Sequence, residues 1–198
     1  EIYPDQTGAN KDFVELYNPN ATNTSDLDIS GWSLQVLSAS ATSTDKITKK
    51  NFVAGNKISG RGFFLIGVDN YSGADMAWAS GSLNSTDGAT IFLVNGTTTI
   101  SGVADSRIID RVAYGNGSAT DFSEVAPVIM PAVGQSLERK AFENDFCVSA
   151  KDSGEFSGNG CDTDDNSADF ESRTIPNPQT TQKLSEPRTA PSLPNNFS

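Results

Sequence analysis

Histidine is absent from this chain of 198 residues. Its absence removes the commonest general base, the usual zinc ligand, and every Ser-His-Asp or Cys-His arrangement for nucleophilic catalysis. The serines also lack the Gly-X-Ser-X-Gly context in which many hydrolases expose a nucleophile. The remaining catalytic route is a pair of carboxylates that meet only in space, as in glycosidases. We therefore expect no enzyme activity.

Basic residues are few, and long apolar runs are missing. The chain has 14 Lys and Arg against 25 Asp and Glu, a formal net charge of -11. A field of this sign repels phosphate backbones, so nucleic acid is not an expected partner. No run approaches the roughly 18 apolar residues of a membrane helix, so we expect no transmembrane segment. No signal peptide stands at Glu1, and we expect any export signal to have been removed or to lie outside this sequence.

The only two cysteines are Cys147 and Cys161. A disulfide between them would close a surface loop and stabilise the fold by about 3 kcal/mol in the chain-entropy model. Two unrelated buried thiols are the alternative. The segment between them is too polar and glycine-rich for a core strand, which favours the bridge. A bridge indicates a secreted or cell-surface protein, because the cytosol is reducing.

The residues that are abundant favour a loop-rich all-β domain. Apolar residues make up 36% of the chain, beside 17 Gly and 9 Pro, which is not the composition of a helical bundle. Apolar alternation and apolar runs predict strands at 13–17, 27–37, 46–53, 62–67, 89–94, 107–115 and 135–142. Lysines on 46–53 indicate an exposed sheet edge. The Asn95-Gly96 pair predicts a hairpin whose second strand is 97–100.

Two stretches are predicted to be irregular. Residues 69–86 carry Tyr71 and Trp78, which are candidates for stacking on a ligand, although loop aromatics also fold back as a small apolar cluster. Residues 179–198 have little apolar content and three prolines, so we expect an extended tail or linker after a domain that spans 1–178. Within that domain, Glu15 lies between aromatic neighbours and is expected to be a partly buried carboxylate that needs hydrogen-bond donors.

Residues 13–19 and 27–34 read F-V-E-L-Y-N-P and L-D-I-S-G-W-S-L. Further motifs follow in order: F-F-L-I-G at 63–67, G-A-T-I-F-L-V-N-G at 88–96, I-I-D-R-V-A-Y-G at 108–115, G-Q-S-L-E-R at 134–139 and D-F-E-S-R-T-I-P-N-P-Q at 169–179. Together they make the chain similar to the lamin-tail domain over most of 1–178. This resemblance implies an immunoglobulin-like β-sandwich with a binding or structural role, and it supplies no catalytic residues. It also implies a first strand that begins before Glu1, which would leave a gap at a sheet edge.

The best candidate for a metal site is the acidic run at 161–169. Oxygen ligands at alternate positions, from Asp162, Asp164 and Asn166, followed by Asp169, suit Ca²⁺, which takes six to eight oxygens. The run is no EF-hand, because it lacks the glycine at the sixth loop position and the glutamate at the twelfth. A solvated acidic turn is the alternative. Calcium is the one cofactor that the sequence suggests.

Seven Asn-X-Ser/Thr sequons are candidates for N-glycosylation, and all fall in predicted turns or in the tail: Asn20, Asn23, Asn70, Asn84, Asn95, Asn116 and Asn196. Attached glycans would require a source that glycosylates exported proteins. An intact mass equal to that of the bare chain would contradict this expectation.

The sequence therefore predicts a non-catalytic extracellular module with a structural or adhesive role, such as a subunit of a surface array or filament. Its partners would be proteins or further copies of itself, bound through a sheet edge or the tail. The alternative is an accessory ligand-binding module of a larger secreted protein, which would bind carbohydrate through Tyr71 and Trp78.

If calcium binds at 161–169, removing it should lower the melting temperature, because the clustered carboxylates then repel one another. Thermal unfolding with and without a chelator measures this, and magnesium in place of calcium is the control. An unchanged melting temperature in the chelator contradicts a calcium site.

Overall fold

The computed structural model describes residues 1–7, 9, 11–20, 26–39, 41, 43–68, 71–79, 83, 86–116, 122–151 and 154–186. The strands in these ranges are β1 (Ile2–Tyr3), β2 (Phe13–Tyr17), β3 (Leu27–Asp28), β4 (Ser33–Ser38), β5 (Thr48–Asn51), β6 (Lys57–Ile58), β7 (Phe63–Val68), β8 (Met76–Trp78), β9 (Gly88–Val94), β10 (Ile108–Gly115), β11 (Ser136–Arg139), β12 (Ala141–Glu143), β13 (Phe146–Val148) and β14 (Phe170–Arg173). A 3-10 turn (Thr44–Lys46) and the short helix α1 (Asn166–Asp169) complete the described elements. Within these ranges no helix is long and apolar enough to cross a membrane.

Two larger sheets share one apolar core. The six-stranded sheet has the order β14-β11-β1-β2-β7-β8, and the four-stranded sheet has the order β10-β9-β4-β5. Val14 and Ile66 of the first sheet and Leu34 and Ile91 of the second belong to one cluster of buried side chains. This arrangement is that of a β-sandwich. The predicted all-β class is confirmed.

Strand β2 is covered on both faces. Val14 and Leu16 point into the shared core, while the aromatic side chains of β2 point to the outer face. There the ring centroids lie 5.2–5.5 Å apart in the pairs Tyr3–Phe13, Phe13–Tyr71 and Tyr17–Phe63. The neighbouring β7 is buried at all six residues, as its continuous apolar run predicts. These two strands therefore form the centre of the larger sheet.

The predicted strand at 27–37 is divided between two sheets. Residues Leu27–Asp28 pair with β6, whereas Ser33–Ser38 pair with β5 and β9. Gly31 separates the two parts with a φ of 77°, a conformation that L-residues avoid. The lysine-bearing β5 lies at the edge of its sheet, as predicted.

The predicted hairpin at Asn95-Gly96 is wrong, because β9 pairs with a different strand. Strand β9 pairs with β10 and not with 97–100, and the N–H of Asn95 donates to the carbonyl of Arg107 at 2.8 Å across a long loop. The loop is instead held by the buried amide of Gln35, which donates to Thr98 O at 2.9 Å and accepts from Ile100 N at 3.0 Å. A side chain distant in sequence thus takes the bonds that a hairpin partner would have made.

The stretch predicted as irregular at 69–86 contains a strand. Met76–Trp78 pairs in parallel with β7, and Trp78 is only 4% exposed. The apolar partners of Trp78 are in the shared core. Trp78 is therefore a core residue and offers no ring on the surface.

Strand β1 is an interior strand, so the prediction that it leaves a gap at a sheet edge is wrong. Strand β1 is between β2 and β11 in the six-stranded order, with Ile2 opposite both Val14 and Leu137. The sequence could suggest a short first strand but could not place it, since its position depends on β11, more than a hundred residues away in the chain.

Part of the predicted tail makes hydrogen bonds to the domain. The N–H of Glu186 donates to Arg61 O at 2.8 Å, the Tyr17 hydroxyl donates to Glu186 O at 2.7 Å, and the Thr181 hydroxyl donates to Asp75 at 2.6 Å. Glu186 is 2% exposed. Residues 176–186, here called the C-terminal strap, thus cover the outer face of β2. The rest of the predicted tail, 187–198, lies outside the described residues.

The predicted disulfide is present. Cys147 of β13 is joined to Cys161, with their Cα atoms 5.4 Å apart. It connects the β12–β13 hairpin to the chain that leads into α1.

Deleting residues 179–198 should destabilise the domain by roughly 3 kcal/mol, because several hydrogen bonds worth about 1 kcal/mol each are lost and aromatic side chains become exposed. Denaturant unfolding measures this. The matched control is deletion of 187–198, which keeps every strap contact described above. Equal stabilities of the two truncated proteins would contradict the strap as part of the domain.

Candidate functional site

A cleft of about 110 Å³ opens between the two larger sheets beside β1, and we call it the β1 cleft. Aliphatic side chains from both sheets and from β3 and β6 line it: Ile2, Val14, Leu16, Leu27, Leu34, Ile58, Ile91, Leu93 and Val112. Its charged lining residues form two groups, Glu1 with Glu15, and Asp110 with Arg111 and Arg139. The lining of the cleft is thus mainly aliphatic, with two groups of charged residues.

The first charged group is a cluster of buried carboxylates. The amino group of Glu1 lies 3.5 Å from Oε1 of Glu15, and both side chains are at most 1% exposed. The strap supplies backbone donors: Asn177 N–H to the Glu1 carboxylate at 3.1 Å, and Gln179 N–H to that of Glu15. The Ser136 hydroxyl also donates to Glu1. The prediction that Glu15 is buried and needs donors is confirmed.

Burial dominates the titration of this cluster. It raises the pKa of Glu15 to about 7, although the ammonium group of Glu1 acts in the opposite direction. Burial also raises the pKa of the Glu1 side chain, against the same ammonium and the Ser136 hydroxyl. Desolvation outweighs the nearby positive charge because the group is removed from water on every side.

Arg139 is the centre of the second charged group. Its Nη2 donates to both carboxylate oxygens of Asp110 at 2.8 and 2.7 Å, and its Nη1 donates to the Cys161 carbonyl at 2.9 Å. The guanidinium carbon lies 4.7 Å from the ring centroid of Phe170, a cation–π arrangement. The side chain is 11% exposed, so these contacts compensate a largely buried charge.

Two of the four calcium candidates lie close to this arginine. Asp162 lies 3.4 Å and Asp169 lies 3.9 Å from Nη1 of Arg139. Asp169 also accepts from the Thr163 hydroxyl at 2.6 Å. Asp164 is exposed at a φ of 59°. An arginine cation therefore already faces two of the four candidate ligands.

The side chain of Asn166 makes hydrogen bonds to neighbouring segments of the protein. Its side-chain oxygen accepts from Ala113 N at 2.9 Å, and its amide donates to Arg111 O at 3.0 Å and to Glu124 at 2.8 Å. It thus attaches α1 to β10. Among the described residues, one group has three possible metal-ligand atoms within 4.8 Å of one another, and its members are Cys147, Cys161 and Asp169. The sulfur atoms of the two cysteines are bonded to each other. Calcium binding at 161–169 stays a prediction.

Arg111 and Glu124 form a looser pair beside the cleft. Arg111 Nε lies 3.9 Å from Oε1 of Glu124, and this buried nitrogen has no hydrogen-bond partner. Burial and the charges of Asp110 and Asp162 raise the pKa of Glu124 to about 7.

Sequence reasoning missed Asp110, Arg111, Glu124 and Arg139. Opposite charges in the predicted strands were visible, but the proximity of these side chains depends on how the two sheets pack.

The two aromatic candidates do not form a surface shelf. Trp78 is buried in the core, and Tyr71 is partly buried with its ring 5.3 Å from that of Phe13 in an edge-on contact. Gly67 lies against Tyr71, and a Cβ atom there would approach its ring to 3.0 Å. Tyr71 thus covers the outer face of β2, and the structure does not bring it together with Trp78 at a ligand site.

Three of the seven sequon asparagines are described, and all three are exposed: Asn20, Asn95 and Asn116. Asn23, Asn70, Asn84 and Asn196 lie outside the described residues. Exposure is what a glycan needs, so modification at these positions stays a prediction.

No family model matches this chain, and no curated protein or solved structure matches it either. The resemblance to the lamin-tail domain therefore stays an interpretation of the sequence motifs.

Replacing Glu15 by Gln should flatten the dependence of stability on pH. Because the folded state raises the pKa of this carboxyl from 4.5 to about 7, the folded protein binds the proton more tightly, and the wild type loses stability as the pH rises through that window. Gln does not titrate, so the free energy of unfolding of E15Q should rise relative to that of the wild type between pH 4.5 and 7. At about 1.4 kcal/mol per pKa unit, the rise is at most on the order of 3 kcal/mol.

Urea unfolding at several pH values measures the difference between E15Q and the wild type. The exposed Glu155 provides the control variant E155Q, which should track the wild type at every pH. A difference between E15Q and the wild type that stays constant from pH 4 to pH 7.5 would rule out the raised pKa.

Proposed function

We propose that this protein is a non-catalytic extracellular module with a structural or adhesive role, and that it contacts further copies of itself through the β12–β13 hairpin. The observation that carries the proposal is the exposure of two phenylalanines on a hairpin that a disulfide holds in place. Phe142 is 51% exposed and Phe146 is 71% exposed. Aromatic side chains of this kind are frequent anchors of protein interfaces.

The hairpin is rigid enough to serve as a contact. Its turn residues Asn144 and Asp145 have φ values of 49° and 69°, which is the geometry of a tight turn between two strands. Cys147 on β13 is bonded to Cys161, and the carbonyl of Cys161 accepts from Arg139 at 2.9 Å. A preorganised contact loses little conformational entropy when it binds.

The two phenylalanines serve different contacts. In the hairpin register, Phe142 is opposite Cys147, and Phe146 is opposite Glu143. Neighbouring positions on a strand face opposite ways, so Phe142 and Phe146 lie on opposite faces of the hairpin. A single copy thus offers one aromatic ring to each of two sides, as a subunit of an array or filament requires.

The disulfide and the acidic surface support an extracellular location. Disulfides persist outside the reducing cytosol, and the net charge of -11 favours solubility at high local concentration. Exposed sequon asparagines and the acidic run at 161–169 are compatible with glycans and calcium in that environment.

Carbohydrate binding by an accessory module is the second candidate. The observation that favours it is the β1 cleft, although its lining is mainly aliphatic and sugars prefer aromatic platforms.

Self-association should depend on the hairpin phenylalanines. We expect the wild type to form concentration-dependent oligomers in sedimentation velocity, and F142S/F146S to weaken association at least tenfold, because two exposed aromatic anchors are removed. Both side chains are largely exposed, so the variant should keep its fold, which circular dichroism checks.

The matched control is V53S, since Val53 is 61% exposed and lies outside the hairpin. It should associate like the wild type. A wild type that remains monomeric at millimolar concentration contradicts the proposal, and so does a loss of association in V53S equal to that in F142S/F146S.

A further inference from the structure

The tip of the β12–β13 hairpin is acidic as well as aromatic. We call residues 143–146 the hairpin tip. In it, Asp145 and Phe146 are exposed, and Glu143 is partly buried and accepts from the Ser157 hydroxyl. Within the described part of the chain, neither carboxylate is in an ion pair. A surface that receives this tip should therefore combine apolar area with positive charge.

Positive charge is concentrated beside β5. Three of the eight lysines, Lys46, Lys49 and Lys50, lie close together in the chain, and the range 46–57 contains no Asp or Glu. Lys46 and Lys49 are exposed, and Lys50 is half-buried. None of the three forms an ion pair with a residue that the structure describes. We call these three residues the lysine edge, a basic surface on a chain whose net charge is -11.

The lysine edge offers both apolar and charged area. In the pairing with β4, Lys50 is opposite Leu34, whose side chain is in the shared core, and Lys49 is opposite Gln35. Side chains at neighbouring positions of a strand lie on opposite faces, so these two lysines flank β5 on both faces. Lysine stems pack against apolar groups while their ammonium groups stay in water. A phenylalanine ring can therefore contact a stem and an ammonium group together.

Strand β5 also has an open backbone edge. It stands at the end of the four-stranded order, with β4 on one side only. The N–H of Phe52 donates towards β4, to Trp32 O at 2.9 Å. Because these groups alternate along a strand, the N–H and C=O groups of Lys49 and Asn51 point away from β4. No described residue bonds them on that side, and an edge of this kind accepts a further segment.

The other edges of the two larger sheets suit an acidic tip less well. The outer edge of β10 is bonded by the side chain of Asn166 and by the backbone of Val128. At β14, Lys151 donates to the carbonyl of Ser172 at 2.8 Å. Strand β8 follows Asp75, whose negative charge would repel the tip. Strand β5 therefore combines an open edge with the matching charge.

We propose that the hairpin tip of one copy docks on the lysine edge of the next, with Phe146 against the lysine stems and Asp145 among the ammonium groups. This inference rests on the proposed function, since it identifies the surface that the hairpin meets. The two surfaces are different parts of one copy, so the contact is heterologous and repeats head to tail. The lysines also repel the lysine edge of another copy, which disfavours pairing of β5 with itself.

The test reverses the charge of the lysine edge. We expect K46E/K49E to weaken the association measured by sedimentation velocity by roughly tenfold or more, because the acidic tip then faces glutamates. Its control is K11E/K183E, which makes the same change in net charge at two other exposed lysines and should associate as the wild type does. Lys46 and Lys49 precede the carboxyl end of β5 and Val53 follows it, so V53S stays outside this contact.

Charge exchange identifies the hairpin tip as the facing group. D145K alone should weaken association. Added to K46E/K49E, it should tighten association roughly threefold or more, because a lysine on the tip then meets glutamates. Asp145 has a φ of 69°, where Asn is tolerated better than Lys. D145N therefore provides a second variant that keeps the turn, and it should weaken association less than D145K does.

The lysine edge can be excluded without excluding the hairpin contact. If the wild type stays monomeric, both are overturned. If F142S/F146S loses association but K46E/K49E matches K11E/K183E, the hairpin meets another surface, and only the docking on the lysine edge is overturned. A D145K substitution that fails to tighten the association of K46E/K49E would overturn it as well.

Discussion

The structure depends on covering both faces of β2. This strand lies in the interior of the larger sheet, with the shared core on one face and aromatic side chains and Glu15 on the other. A buried carboxylate is costly unless donors satisfy it. The C-terminal strap provides them through its backbone N–H groups, and Tyr17 in turn donates to the strap at Glu186. The two ends of the domain are therefore coupled through one strand.

Charge is buried in both of the charged groups that line the cleft, for related reasons. Glu1 and Glu15 have an ammonium group and strap amides, and Arg139 has Asp110, a carbonyl and an aromatic ring. Such pairs stabilise little compared with apolar packing, but removing one partner leaves a costly buried charge. They therefore determine which chain segments must lie together. Around Arg139 they bring α1, β10 and β11 into one place.

Local sequence predicted the pieces of the fold that depend on local alternation. The inward and outward residues of β2, the double-sided burial of β7 and the lysine edge at β5 follow from spacing and composition. The hairpin at Asn95-Gly96 failed because Gln35 bonds the loop that should have paired. The attachment of the strap could not be predicted because the strap is poor in apolar residues, and many of its contacts are backbone hydrogen bonds that hydropathy does not show.

The sequence by itself determined the all-β class, the absence of histidine chemistry, the acidic charge and a cysteine pair with suitable spacing. Only the tertiary structure decided that β1 lies inside the sheet, that Trp78 is buried, and that two of the candidate calcium ligands lie close to Arg139. The physical reason is the range of the interactions. Strand periodicity acts between neighbouring residues, whereas strand order and buried charge pairs depend on residues far apart in the chain, which meet only after the sheets have packed.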